Sequence, residues 1–176
     1  MKKGARKTIN RILNRIFRVL KNKHKRAKLV SLVSKTFVSS KNTVEYDEEF
    51  DMYWQKYDGN CLQIHEKPVF DFSYEKYSGR IDSMFCRQYD LKSGDVILDL
   101  GAGIGGELYF YDQRMNSSGK VYAIEASPDS YNKLNKLINK NNLPNIETFN
   151  IALSDKKGSV WIEETDAYKA NQINEQ

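Results

Sequence analysis

The seven residues Asp99-Leu-Gly-Ala-Gly-Ile-Gly105 constrain this chain more than any other stretch. They follow the apolar run Val96-Ile97-Leu98 and precede Glu107-Leu108-Tyr109-Phe110-Tyr111, which reads as a helix. A short apolar run closed by glycines reads as a buried strand. A strand that turns sharply into a helix needs backbone angles that glycine adopts freely, and Gly101 stands at that turn. Gly103 has no side chain, so the backbone there can approach a ligand. The first amides of the helix point into the space above the strand and favour a carboxylate or a phosphate. Strand, glycine turn and helix start together form a cradle for a nucleotide cofactor.

Two cofactor classes use such a turn. Gly101, Gly103 and Gly106 match G-x-G-x-x-G, the dinucleotide pattern, which points to a nicotinamide-dependent oxidoreductase. Asp99, two residues before the first glycine, separates the classes. A carboxylate there repels a pyrophosphate and suits an ammonium group, such as the amino-acid end of S-adenosylmethionine. The next apolar run, Val121-Tyr122-Ala123-Ile124, ends at Glu125. A carboxylate at that strand end can accept hydrogen bonds from both hydroxyls of a ribose, the role of an acidic residue about 20 positions after the glycine turn. Each carboxylate also has a plainer role. Asp99 could cap the turn through its own backbone, and Glu125 could cap the helix that starts at Pro128. Those roles do not account for both carboxylates standing at matching strand ends.

The run from Gly94 to Gly105 resembles the first motif of class I methyltransferases, and Val121–Pro128 resembles their second strand with its acidic end. The run from Asn145 to Asp155 is similar to the third-strand segment of the FkbM-type methyltransferases. The resemblance covers about residues 79–163 and implies an α/β, Rossmann-like fold that binds S-adenosylmethionine. It also implies O-methylation of a hydroxyl on a sugar or other small molecule. In that family's terms Asp99 holds the ammonium group, Gly101, Ala102 and Gly103 admit the methionine moiety, Glu125 holds the ribose, and the chain near Ala152 borders the adenine. The class builds further strands beyond the third and takes acceptor groups from them. The pattern here supplies only the first half of such a sheet, so a truncated, split or fragmentary chain is expected.

Strand starts near Val96, Val121 and Ile146 are spaced by about 25 residues, which suits βαβ units. Ser127 is a good N-cap and Pro128 a good first helical residue. Tyr131, Leu134, Leu137 and Ile138 give that helix an apolar face, and Asn141, Asn142 and Pro144 stop it. After Gly158, Ser159-Val-Trp-Ile162 reads as an extra strand, and the polar tail Lys169–Gln176 carries no strand signal. Methyl transfer depends mainly on aligning the acceptor, and a hydroxyl acceptor also needs a group to take its proton. No residue is assigned that work. His65 stands alone outside the arm, and Cys61 with His65 lacks a second ligand pair, so no metal site is expected.

The net charge of +5 conceals a division: residues 1–44 hold 14 Lys or Arg and no acid, and the remainder carries a net nine negative charges. Three regions follow: a basic helical arm (1–44), an aromatic-rich cap with a lead-in helix over Ile81–Tyr89 (45–90), and the cofactor-binding α/β domain (91–176). In the arm Ile9, Ile12, Leu13, Ile16, Phe17 and Leu20 mark one helix face. A basic amphipathic helix of this kind binds anionic membrane surfaces or a partner, or it packs on the body with its charges in water. Nucleic acid is disfavoured, because the arm has few aromatics for stacking and the acidic body repels phosphate. The cap is crowded with Tyr and Phe, and Asp58-Gly59 marks a turn. Its rings read as an acceptor-binding lid or, more simply, as a small aromatic core. Two cysteines without a secretory leader predict reduced thiols and a cytoplasmic setting, and the membrane-surface alternative for the arm, through residues 1–28, would make it peripheral at the membrane. A rival to the enzyme reading is a non-catalytic membrane- or partner-binding protein that keeps a relic cofactor half-domain.

Overall fold

The computed structural model describes residues 3–155, 158, 161–163 and 172–174. The chain divides into two compact units, Met1–Phe85 and Cys86–Gln176. The first joins the arm to the aromatic region. Helix α1 (Lys3–Val19) buries Leu13. Helix α2 (Lys23–Phe37) starts at the N-cap Asn22, whose side chain accepts from the Lys25 amide at 2.8 Å. Arg26 fixes the corner between the helices by donating to the carbonyls of Leu20 and Phe17, both at 2.6 Å. Three antiparallel strands follow in the order β1 (Thr43–Asp47), β2 (Met52–Tyr57) and β3 (Cys61–His65). Asp58 and Gly59 take left-handed angles in the β2–β3 turn, as the sequence expects.

One buried residue ties these pieces together. Asn42 donates to Ser34 Oγ and to the Phe72 carbonyl, both at 2.8 Å, and accepts from the Asp58 amide at 2.9 Å. Arg6 of α1 and Lys76 both pair with the buried Asp71. Tyr53, Trp54, Tyr57, Phe70, Phe72 and Tyr77 are buried, so these rings are the unit's own core. Helix α3 (Tyr74–Phe85) closes the unit. It begins earlier and stops four residues sooner than the Ile81–Tyr89 reading. Tyr89 instead joins the turn into the next strand, where its hydroxyl donates to Asp95 at 3.1 Å and Asp95 also accepts from the Lys92 amide at 2.7 Å.

The second unit is α/β and Rossmann-like. Strands β4 (Val96–Leu100), β5 (Lys120–Ile124) and β6 (Ile146–Phe149) lie parallel in the order β4-β5-β6. Helix α4 (Leu108–Arg114) links the first pair and α5 (Pro128–Asn141) the second. Ser127 caps α5 by accepting from the Ser130 amide at 3.2 Å, and Asn142 ends it in the left-handed region. Leu108, Val121, Ala123, Leu134 and Leu137 form the core and are fully buried. The buried-strand reading of Val96-Ile97-Leu98 fails on one side. Val96, Leu98 and Leu100 are 68%, 61% and 55% exposed, because side chains alternate along β4 and only one face is covered among the described residues.

A further strand, β7 (Trp161–Glu163), falls close to its expected place; residues 159 and 160 lie outside the described residues. It pairs antiparallel with β8 (Gln172–Asn174). The tail therefore does contain a strand. The partner ladder supplies the hydrogen bonds that local propensity does not announce. Among the described residues no helix is long and apolar enough to cross a membrane.

Candidate functional site

The site lies at the carboxyl ends of the parallel strands, the usual position for ligands in open α/β sheets. The register sets Asp99 opposite Ala123 and Leu100 opposite Ile124, so Glu125 follows directly beyond the paired end of β5. Between them runs the glycine loop. The amides of Gly101 and Ala102 both donate to the Ile124 carbonyl at 2.9 Å, which pulls the loop over the end of β5. Gly101, Gly103 and Gly105 have φ of 80°, 55° and 78°, angles at which side-chain-bearing residues are strained. A Cβ on Gly101 or Gly103 would meet nothing within 4 Å, so these two glycines border open space. A Cβ on Gly105 would lie 2.7 Å from Leu134 and 3.0 Å from Leu108. Gly105, rather than the Gly106 of the literal pattern, thus lets the loop lie close to α5.

Glu125 reaches back onto this loop. Its Oε2 accepts from the Gly103 amide and its Oε1 from the Ser127 amide, both at 2.8 Å. The helix-cap role falls to Ser127. Glu125 is instead a brace between the glycine loop and the entry to α5. Each carboxylate oxygen carries a second lone pair, which leaves acceptor capacity for hydroxyl donors. Asn150 braces the same corner from the far side, donating to the carbonyls of Glu125 and Ala126 at 2.9 and 3.0 Å. Ala152, half-exposed, stands two residues beyond Asn150 in the irregular segment after β6.

Asp99 is the electrostatic centre. Burial is the main cause that holds its carboxyl above the ordinary carboxylate range. A hydrogen bond with the Glu107 side chain opposes that rise, and the charge of Glu125 adds to it. Asp99 Oδ2 is buried without a hydrogen-bond partner. The buried Tyr111 hydroxyl is pushed well above its ordinary pKa, first by desolvation and then by the charges of Asp99 and Glu107. Three carboxyls therefore converge on one loop. The Gly103 amide, which a phosphate would need, is already taken by a carboxylate. Such a site attracts a cation and offers acceptors to hydroxyls.

The structure thus brings Asp99, Gly101, Ala102, Gly103 and Glu125 to one place and adds Glu107, Tyr111 and Asn150. Glu107 carries one sequence signal, an acid directly before the helix that leaves the glycine loop. Tyr111 and Asn150 carry none. Among the described residues no group of His, Cys, Asp or Glu is placed to hold a metal ion. Cys61 is buried, its thiol pushed up to about 12 by burial, and His65 lies 2.8 Å from the Tyr57 hydroxyl. Both serve the packing of the first unit.

No family model matches this chain, and no curated protein matches it. Solved structures do. It is similar to an S-adenosylmethionine-dependent methyltransferase from Aquifex aeolicus, at 26% identity over 47% of this chain and 48% of that one, with a TM-score of 0.37. A precorrin-6y C5,15-methyltransferase from Geobacter metallireducens is 18% identical over 45% of this chain and 39% of its own, with a TM-score of 0.37. The TYW2 protein of P. horikoshii, solved in complex with MeSAdo, is 19% identical over 78% of this chain and 51% of its own, with a TM-score of 0.41. The chain spans about half or less of the length of these proteins.

Proposed function

We propose that the second unit binds S-adenosylmethionine and that the protein serves methyl transfer to a hydroxyl oxygen of a sugar or other small molecule. The observation that carries this reading is the Glu125 carboxylate seated on the Gly103 amide beside Asp99 and Glu107. A dinucleotide pyrophosphate would meet negative charge there, without that loop amide to bind it. An aminoacyl ammonium and a sulfonium meet the opposite sign. Asp99 holds the ammonium group, the open backbone at Gly101 and Gly103 receives the methionine chain, and Glu125 accepts from the ribose hydroxyls. S-adenosylmethionine supplies an activated methyl group, and the chain's part is to fix it in line with the acceptor oxygen. The choice of a hydroxyl acceptor rests on the resemblance of residues 145–155 to the FkbM-type segment.

Isothermal titration of the full chain with S-adenosylmethionine and with NAD tests the cofactor. Saturable heat with the first and none with the second is expected. Equal or tighter binding of NAD would overturn the assignment.

A further inference from the structure

The apolar stripe of α1 is only half used. Leu13 is buried and Ile9, Phe17 and Leu20 are half-buried, so that edge of the stripe faces the protein. Ile12, Ile16 and Val19 follow one another at the spacing of a single helix ridge and are 51%, 37% and 84% exposed. Lys7, Arg11, Arg15 and Arg18 are also exposed, and no ion pair engages them among the described residues. The outer surface of α2 repeats the chemistry, with Lys25, Lys28 and Lys35 exposed around a Leu32 that is 64% exposed. No acid lies in residues 1–44. Three acids of the unit are engaged in ion pairs: Asp71 by Arg6 and Lys76, Asp51 by Lys23, and Glu48 by His24.

We propose that the outer face of α1 docks on an anionic lipid surface. Ile12, Ile16 and Val19 enter the boundary between headgroups and acyl chains, and Arg11, Arg15 and Arg18 lie at the level of the lipid phosphates. The geometry is that of an interfacial amphipathic helix, with an apolar ridge bordered by guanidinium groups long enough to reach upward. A nucleic acid would use the charges but has no use for an aliphatic ridge. The one aromatic ring of α1, Phe17, is engaged by the Arg26 guanidinium 5.3 Å from its centroid. A protein partner with an acidic rim would accept the ridge. Yet Arg11, Arg15 and Arg18 border the ridge along its length with no acid in α1 itself, which fits an anionic surface.

Co-sedimentation of the full chain with vesicles decides the matter. Phosphatidylcholine vesicles containing phosphatidylglycerol should pull the protein down, and pure phosphatidylcholine vesicles should not. Raising the salt should release it. Arg11→Gln and Arg15→Gln should each lower the affinity about fivefold. The paired change Ile12→Ser with Ile16→Ser should lower it on the order of tenfold, with only a small fall in melting temperature from the part of each side chain the protein covers. The proposal is overturned by no pelleting with phosphatidylglycerol, by equal pelleting with neutral vesicles, or by full affinity retained by the isoleucine variant. A large fall in melting temperature of the isoleucine variant would equally overturn it, by showing that the ridge is covered by the protein itself.

Discussion

Replacing Glu125 separates a brace from a ligand group. The carboxylate accepts two backbone amides through two different oxygens, from Gly103 and Ser127. Glutamine at this position keeps one oxygen and presents an amino group in place of the other, so it can satisfy only one of the two amides. The charge-assisted bond that is lost contributes about 1.5–3 kcal/mol, and water reaching a part-buried site returns some of it. A net loss of about 1–2 kcal/mol is expected for Glu125→Gln, and more for Glu125→Ala, which loses both. For a unit of this size that is a fall in melting temperature of about 4–8 °C per kcal/mol. If Glu125 also accepts the ribose hydroxyls, Glu125→Gln weakens S-adenosylmethionine binding by more than its destabilisation alone explains. The contrast is Asp129→Ala, which removes an i,i+4 pair with Lys133 in the first turn of α5 and should leave affinity unchanged. Thermal unfolding and isothermal titration on the same preparations read both effects. A Glu125→Gln protein that melts and binds like the parent would refute the brace and the ligand role together.

Asp99→Asn should bind S-adenosylmethionine far more weakly yet melt no lower than the parent, since it removes a carboxylate that burial already disfavours. The pH dependence follows from the same shift. Because the folded value lies above the unfolded one, the folded state takes up the proton first, and Asp99 adds stability as pH falls through its folded value toward 3.8. A cationic ligand needs the ionised form, so affinity falls over the same window and binding there releases a proton. Titration in buffers of different ionisation enthalpy detects it, and pH-independent affinity with no proton release contradicts the role. Gly105→Ala should cost about 2–5 kcal/mol in denaturant unfolding, since backbone strain at φ 78° adds to a Cβ that would press on Leu134 and Leu108. Gly103→Ala should cost less, about 1–2 kcal/mol of backbone strain in open space, and an equal loss at both positions would contradict the packing account.

The half of the molecule that follows local rules was legible in the sequence. Ser127-Pro128 opens α5 and Asn142 closes it because capping chemistry is contained within a few residues. Asp99 and Glu125 stand at matching strand ends because the spacing of βαβ units is regular. The helical arm holds two helices, and the face that α2 buries is not legible because it is Ala27, Val30 and Ser34, which make no apolar stripe. The β1–β3 sheet is not legible for the opposite reason. Met52, Tyr53, Trp54 and Gln55 are buried in succession, so β2 shows none of the alternation that marks a half-exposed strand. Tyr111 and Asn150 carry no local signal, and only the closed fold brings them to the carboxylates of the site.

The three carboxyls at the glycine loop also explain why a glycine pattern alone misleads. The loop and its amides are common to both cofactor classes, and what differs is which charge fills the cradle before a ligand arrives. Here Glu125 already satisfies the Gly103 amide, and Asp99 and Glu107 share a hydrogen bond in partly buried surroundings. Burial and the neighbouring Glu125 charge disfavour the ionised form of Asp99, so the site favours a positive charge. On the proposed function, an arriving ammonium group donates to these carboxyls, the unpartnered Asp99 Oδ2 among them. A pyrophosphate cannot. It would have to displace Glu125 from the loop and approach two further carboxyls, and both steps are unfavourable in a site of lowered dielectric. The acids set the charge of the loop, while its glycines supply the left-handed angles and the room.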